Sequence, residues 1–231
     1  MAISCLTVDA QKPRVKNDPT HDDKPIHFGF SLGLNFMNYR IEQAPWAKTN
    51  NYYVGQTEIK PGINIQAISN LRLTEYLDLR SLPGISFGER QLFFVDDTLA
   101  NFEYSPHQIE SSFLELPFYI KYKAKRKNNF RPYLIGGVNF RYDLAVKDEY
   151  DVKEQLIMLK HFDYYADFGG GFDFYLTYFK FAIELKYSLG MTNIFRDTNP
   201  AGNPPEIPMD IYTNMIDQMR SGIFMVSFHF E

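Results

Sequence analysis

Between residues 27 and 230 the chain repeatedly alternates apolar with polar or small residues at period two, over runs longer than most soluble strands sustain. Successive side chains of a strand point to opposite faces, so each run specifies one strand with an apolar face and a polar face. In the clearest run Leu114, Leu116, Phe118, Ile120 and Tyr122 alternate with Glu115, Pro117, Tyr119, Lys121 and Lys123. The next sets Pro132, Leu134, Gly136, Val138, Phe140, Tyr142 and Leu144 against Arg131, Tyr133, Ile135, Gly137, Asn139, Arg141 and Asp143. Two more follow, over residues 162–175 and 179–190, with Asp163, Asp167 and Asp173 on the polar side of the first and Lys180, Glu184 and Lys186 on that of the second.

Weaker runs complete the set. Residues 27–36 alternate Phe28, Phe30, Leu32, Leu34 and Phe36 with Gly29, Ser31, Gly33 and Asn35. Residues 61–73 place Ile63, Ile65 and Ala67 opposite Asn64 and Gln66. Residues 77–94 carry Pro83 and Gly84, which predict a bulge or bend partway along. Residues 220–230 put Gly222, Phe224, Val226, Phe228 and Phe230 on one side. The eight runs are joined alternately by short links near 74–76, 125–129 and 176–178 and by long ones near 40–58, 95–110, 145–160 and 192–219. That spacing predicts an all-β fold, an eight-stranded antiparallel up-and-down transmembrane β-barrel with short periplasmic turns and long outer loops. An even strand number returns the chain to its starting side, so both ends are expected in the periplasm.

Alternation alone does not say which face is outside. A lipocalin-like barrel keeps its apolar face inside, and an outer-membrane barrel reverses this. The polar faces of the four clear strands carry Glu115, Asp143, Asp163, Asp167, Asp173 and Glu184 against Lys121, Lys123, Arg131, Arg141, Lys180 and Lys186, six acids to six bases. An eight-stranded barrel is only wide enough for side chains to fill, so this balanced set suits a mutually paired lumen charge network. The competing picture makes them solvated faces of a water-soluble β-protein. The runs match or exceed the roughly 9 to 11 residues that a tilted strand needs to cross hydrocarbon, which favours lipid outside. With 16 Tyr and 21 Phe the chain also has aromatics for interfacial girdles.

Net charge of −4 and a pI near 5.8 provide no basic excess for wrapping phosphates, which argues against nucleic acid as a partner. No window reaches the roughly 18 apolar residues of a spanning helix, so membrane residence must come from strands. Residues 1–26 read as a residual signal peptide and polar leader, with Val8 and Ala10 placed as in a cleavage site before Gln11, and residues 27–231 as the barrel domain. The single cysteine, Cys5, excludes an intrachain disulfide and loosely suits lipoprotein acylation.

No catalytic, cofactor-binding or metal-binding residues are expected. His21, His27, His107, His161 and His229 are scattered without metal-ligand spacing, and Asp22 and Asp23 beside His21 make at most a weak cation site. The glycines at 169–171 lie inside a strand with no following helix, which disfavours a phosphate loop and suits barrel curvature. His161, Asp163 and a serine could imitate a hydrolytic triad, but no nucleophile motif accompanies them. The last long link is the candidate partner-binding loop. It carries Asn199, Pro200, Pro204 and Pro205 in an irregular stretch, then Ile211, Tyr212, Met215 and Ile216, which could pack over the barrel mouth or dock a partner.

Five stretches, HFGFSLGLN from His27, NLRL from Asn70, LPGISFG from Leu82, LELPFYIK from Leu114 and RPYLIGG from Arg131, resemble the PorT family of outer-membrane barrels in Bacteroidetes, within the wider outer membrane protein β-barrel superfamily. The resemblance spans residues 27–230; the ending Phe230-Glu231 departs from the usual terminal aromatic. It implies a non-enzymatic accessory of the type IX secretion system, with outer-membrane lipid and translocon or assembly proteins as partners. The alternative function is a stand-alone surface barrel for adhesion or small-ligand binding.

Overall fold

A computed structural model describes residues 16–17, 24–49, 52–96, 107–146, 157–196 and 215–231. The strands are β1 (Ile26–Gln43), β2 (Tyr52–Ile59), β3 (Pro61–Arg72), β4 (Leu77–Ser81), β5 (Gly84–Asp96), β6 (His107–Lys123), β7 (Phe130–Asp143), β8 (Phe162–Tyr175), β9 (Lys180–Gly190) and β10 (Ile216–Phe230), with one short helix, α1 (Pro45–Thr49). Every pairing among them is antiparallel. β2 runs into β3 through Lys60, and β4 into β5 through Leu82 and Pro83, so the ten segments form eight staves. β1 pairs with both β10 and β3, Phe30 facing Phe230 on one side and Ala67 on the other, and this closes the ring.

The break at Leu82 and Pro83 is the bend expected from Pro83 and Gly84. Proline donates no ladder hydrogen bond; here its carbonyl accepts from the Ala67 amide at 2.8 Å, and Leu82 turns fully inward. The short links follow ordinary turn chemistry. Thr74 accepts the Leu77 amide on its hydroxyl at 3.0 Å, and Asn128 takes the left-handed conformation at φ 57° between β6 and β7. Asn17, against Asn129 and Tyr175, and Glu231, against Lys180, both lie on the short-turn side of the ring.

Large apolar side chains line the outside: Phe28, Leu34, Ile65, Phe118, Leu134, Phe168 and Leu185 are all exposed. Charged side chains fill the inside. This is an inside-out protein, and water would not tolerate an apolar outer surface of this extent. On β6 the outward apolar run covers residues 114–122, eight residue steps or roughly 27 Å of strand at about 3.4 Å each. At a tilt near 40° that gives a belt roughly 20 Å tall, of the order of the ~25 Å apolar band of outer-membrane barrels.

Several staves continue past this belt on the long-loop side, where their pattern reverses. In β1 the outward Phe36 is followed by outward Arg40 and Glu42, and the inward Asn35 by inward Met37 and Tyr39. β5 does the same, with outward Ile85 and Phe87 giving way to Glu89 while inward Ser86 gives way to Leu92 and Phe94. Above the lipid the outer face meets water and the inner face must build its own apolar core. This reversal corrects the strand limits read from alternation. β1 extends to Gln43, the second stave begins at Tyr52, β5 runs to Asp96, β6 begins at His107 and β10 begins at Ile216, so residues 40–43, 52–58, 95–96, 107–110 and 216–219 are strand rather than link.

Two adjacent glycines in β7 separate wall packing from conformational freedom. A Cβ on Gly137 would lie 2.1 Å from the Phe118 carbonyl oxygen, whereas on Gly136 its nearest neighbour is the Asp167 carbonyl oxygen at 3.8 Å. Gly137→Ala should therefore cost about 1–3 kcal/mol through forced backbone movement, and Gly136→Ala should stay within about 0.5 kcal/mol. Urea titration of both variants folded into lipid vesicles measures the difference; equal costs would mean that strand entropy, not wall contact, sets the preference for glycine.

Candidate functional site

The interior is the chemically densest part of the molecule. All twelve polar-face charges named from the sequence are buried there. The structure adds residues from staves whose alternation is weaker: Asp78 and Arg80 of β4, Arg90 of β5, His229 of β10 and Glu231 just beyond it. Among the described residues, Asp78, Glu115, Asp143, Asp163, Asp167, Asp173, Glu184 and Glu231 thus meet Arg80, Arg90, Lys121, Lys123, Arg131, Arg141, Lys180 and Lys186, eight to eight. Arg80 and Asp78 were legible as the polar phase of residues 77–81, but the short run and the proline after it hid that phase.

Toward the short-turn end the charges interlock across the barrel. Lys121 donates to both Asp173 carboxylate oxygens at 2.9 Å, and its ammonium lies 3.6 Å from the centre of the Tyr133 ring. Tyr133 donates its hydroxyl to Glu184 at 2.9 Å, and His229 Nε2 lies 3.3 Å from the same carboxylate. Arg80 pairs with Glu231, which also accepts from Lys180 at 2.5 Å. Burial alone would raise the Glu231 carboxyl pKa; the Arg80 guanidinium and the Lys180 ammonium outweigh it and hold the group well below the usual carboxylate range. Lys123 pairs with Asp78 at 2.5 Å. Arg131 donates to the carbonyls of Ala124 and Glu75, at 2.7 and 2.8 Å, so it ties two short turns to the interior.

The middle of the barrel is organised on Glu115. Its carboxylate accepts from Arg141 Nε at 2.9 Å, Ser86 Oγ at 2.6 Å and Gln66 Nε2 at 2.8 Å, donors from three other staves. Arg141 also donates to Ser188 Oγ at 3.1 Å, and its guanidinium lies 4.1 Å from the centre of the Tyr165 ring. Asp167 accepts from Tyr119 and Asn139. Lys186 lies over the Tyr119 ring. Nearer the loops, Arg90 donates to Ser221 Oγ at 2.8 Å and lies 4.0 Å from the centre of the Tyr39 ring. Asp143 accepts the Ser112 and Ala145 amides, each at 3.0 Å. Asp163, the remaining sequence-named carboxylate, is buried at the long-loop end of β8.

An apolar cap closes the interior on the long-loop side. It packs Tyr39, Ala47, Leu92, Phe94, Ile157, Leu159, Ile194, Phe195, Met215, Ile216 and Met219. Backbone hydrogen bonds stitch the links that supply it: the Ala44 amide donates to the Met215 carbonyl and the Ile194 amide to the Met219 carbonyl, both at 2.9 Å. Met215 and Ile216, candidates for docking by sequence, are thus buried in this cap and contribute no open surface. Asn199, Pro200, Pro204, Pro205, Ile211 and Tyr212 lie outside the described residues, as do Cys5, His21, Asp22 and Asp23. The cap residues at 157–159 and 194–195 were missed by sequence reading, although two apolar clusters inside polar links were a visible signal.

The His161 ring stacks on Tyr142, with centroids 5.3 Å apart, and its Nδ1 lies 3.1 Å from the Asp143 carbonyl oxygen. Among the described residues no group of three or more His, Cys, Asp or Glu is placed to hold a metal ion.

An apolar outer belt, a filled polar interior and a closed antiparallel ring define a lipid-embedded barrel of the outer-membrane class. The chain belongs to the family described as the outer membrane protein beta-barrel domain, whose model matches residues 10–196. No curated protein matches the chain. Among solved structures it is similar to the outer membrane protein OprG of Pseudomonas aeruginosa, with TM-score 0.46 and 12% identity over 89% of this chain and 93% of that one. It is also similar to Ail, the attachment invasion locus protein of Yersinia pestis, with TM-score 0.36 and 9% identity over 88% of this chain and 96% of that one. The family and the outward apolar belt place the protein in the outer membrane, with lipid as its surroundings.

Proposed function

We propose that this barrel is a non-catalytic accessory of type IX protein secretion in Bacteroidetes. In this reading residues 1–26 are leader and residues 27–231 the barrel, and the short turns and both chain ends face the periplasm. The observation that carries the reading is the state of the interior. Interlocked side chains fill it and an apolar cap closes its loop end, so a secreted polypeptide has no route through, and the protein must act through its wall and outer loops. The five stretches that resemble the PorT family supply the link to type IX secretion. The loop bearing Asn199, Pro200, Pro204, Pro205, Ile211 and Tyr212 then contacts the translocon or an assembly partner, with Met215 and Ile216 anchoring its C-terminal end in the cap.

A chromosomal deletion, scored by secretion of cargo with a C-terminal sorting domain, tests this. Lost secretion, restored by the full chain but not by a chain lacking residues 199–205 at equal barrel abundance, is the expected result. Heat-modifiable gel migration should report the folded barrel in both cases. A heat-modifiable barrel with normal secretion in the deletion strain would instead favour a stand-alone surface barrel.

A further inference from the structure

On the outer wall beside the β6–β7 turn lies a groove of about 340 Å³, lined by Tyr122, Ala124, Pro132, Leu134, Gly170 and Phe172 among others and almost wholly apolar. Gly170 creates it. In β8 the outward positions run Phe168, Gly170, Phe172, so a stave of large aromatics carries a notch where its register partner is Leu134. A Cβ there would already press on the Tyr133 carbonyl oxygen at 3.1 Å and on Leu134 Cδ2 at 3.2 Å, and a longer side chain would occupy the notch.

The groove lies beside the basic β6–β7 turn. One residue beyond Ala124 the turn carries Lys125, Arg126 and Lys127. Arg126 is engaged in holding the turn: its Nε donates to the Asn128 carbonyl at 2.8 Å and its guanidinium lies 3.5 Å from the centre of the Tyr175 ring. Lys125 and Lys127 are exposed, and among the described residues neither pairs with a carboxylate. Around the whole short-turn rim the described surface charges are Lys16, Lys24, Arg72, Lys125, Arg126 and Lys127 against Glu75. Among the described residues the charge here is mostly positive, unlike the balanced interior.

We propose that this groove binds an anionic phospholipid, one acyl chain lying in the Gly170 notch and the phosphate held by Lys125 and Lys127. A zwitterionic lipid fills the same groove but gains less from the rim. Basic residues at a membrane surface attract anionic headgroups strongly enough for two lysines to give a preference on the order of tenfold.

Native mass spectrometry of the delipidated, folded full chain, titrated with phosphatidylglycerol or phosphatidylcholine, tests the site. The expected result is a one-to-one phosphatidylglycerol adduct at about tenfold lower lipid concentration than the phosphatidylcholine adduct. Lys125→Gln with Lys127→Gln should abolish that difference and leave phosphatidylcholine binding unchanged. Gly170→Leu should weaken both lipids; if it fails to fold, judged by heat-modifiable migration, Gly170→Ala reads the same effect in smaller measure. Lys160→Gln with Arg196→Gln, exposed cations at the opposite end, should leave the preference intact. Equal binding of the two lipids by the wild type would overturn the proposal. So would a preference that survives the turn variants, one lost equally in the distal variants, or adducts displaced by excess inorganic phosphate.

Discussion

Replacing Arg141 with methionine is expected to destabilise the folded barrel by about 3–5 kcal/mol, because it strands the buried Glu115 carboxylate without its cation. Both side chains are fully buried, and the guanidinium sits 2.9 Å from the carboxylate and 4.1 Å from the centre of the Tyr165 ring. The methionine would keep much of the apolar contact and remove the charge together with the hydrogen bonds to Glu115 and Ser188. Ser86 and Gln66 remain as hydrogen-bond donors to Glu115, but two neutral donors do not offset a desolvated anion. Adding Glu115→Gln to Arg141→Met should recover most of the loss, since the pair is then neutral and still hydrogen-bonded. The measurement is a double-mutant cycle by denaturant titration of the barrel in lipid vesicles, with a coupling energy of about 2 kcal/mol or more as the expected reading. Additive single losses would mean that the interior is wet enough for each charge to be solvated independently.

Placing an arginine at Phe118 should cost about 2–4 kcal/mol, since this side chain stands at the middle of the outward apolar run of β6. The same change at Ser112, on the same face but beyond the belt, should cost no more than about 1 kcal/mol, because its charge reaches the headgroups or water. The gradient with depth is the informative quantity. A barrel standing in water would accept arginine equally at both positions, as both point outward. Comparing the folded fraction of the two variants in vesicles across a denaturant series decides between these outcomes, and a flat profile would remove the lipid assignment of this face.

These two experiments probe opposite faces of one strand, and the strand shows how far the sequence carries. Over residues 114–123 of β6 both faces were readable residue by residue, because lipid outside and paired charges inside impose opposite chemistry on alternate positions, while residues 107–110 of the same strand were taken as link. The same logic located the twelve interior charges of the four clear staves. It stalled on β4, where five residues and a following proline are too few to establish a phase, and so Arg80, the partner of Glu231 and Glu184, went unread. It stalled again on β1, β5 and β10, whose ends were taken as links because the alternation changes phase where the staves leave the lipid.

By itself the sequence determined that this chain forms a set of eight two-faced antiparallel strands joined alternately by short and long links. Those are local properties, written in period-two alternation and in the residues that make turns. Only the tertiary structure decided which interior group meets which, as when Arg90 reaches Ser221 across 131 positions of sequence, or Arg80 reaches Glu231 across 151. It alone also assembled the cap, whose residues come from β1, α1, β5, β10 and the links between staves. Ring closure sets cross-barrel distances, and pairing energy depends on those distances rather than on separation along the chain. The apolar cap is likewise stabilised by burial against distant staves, so no single stretch carries its full signature.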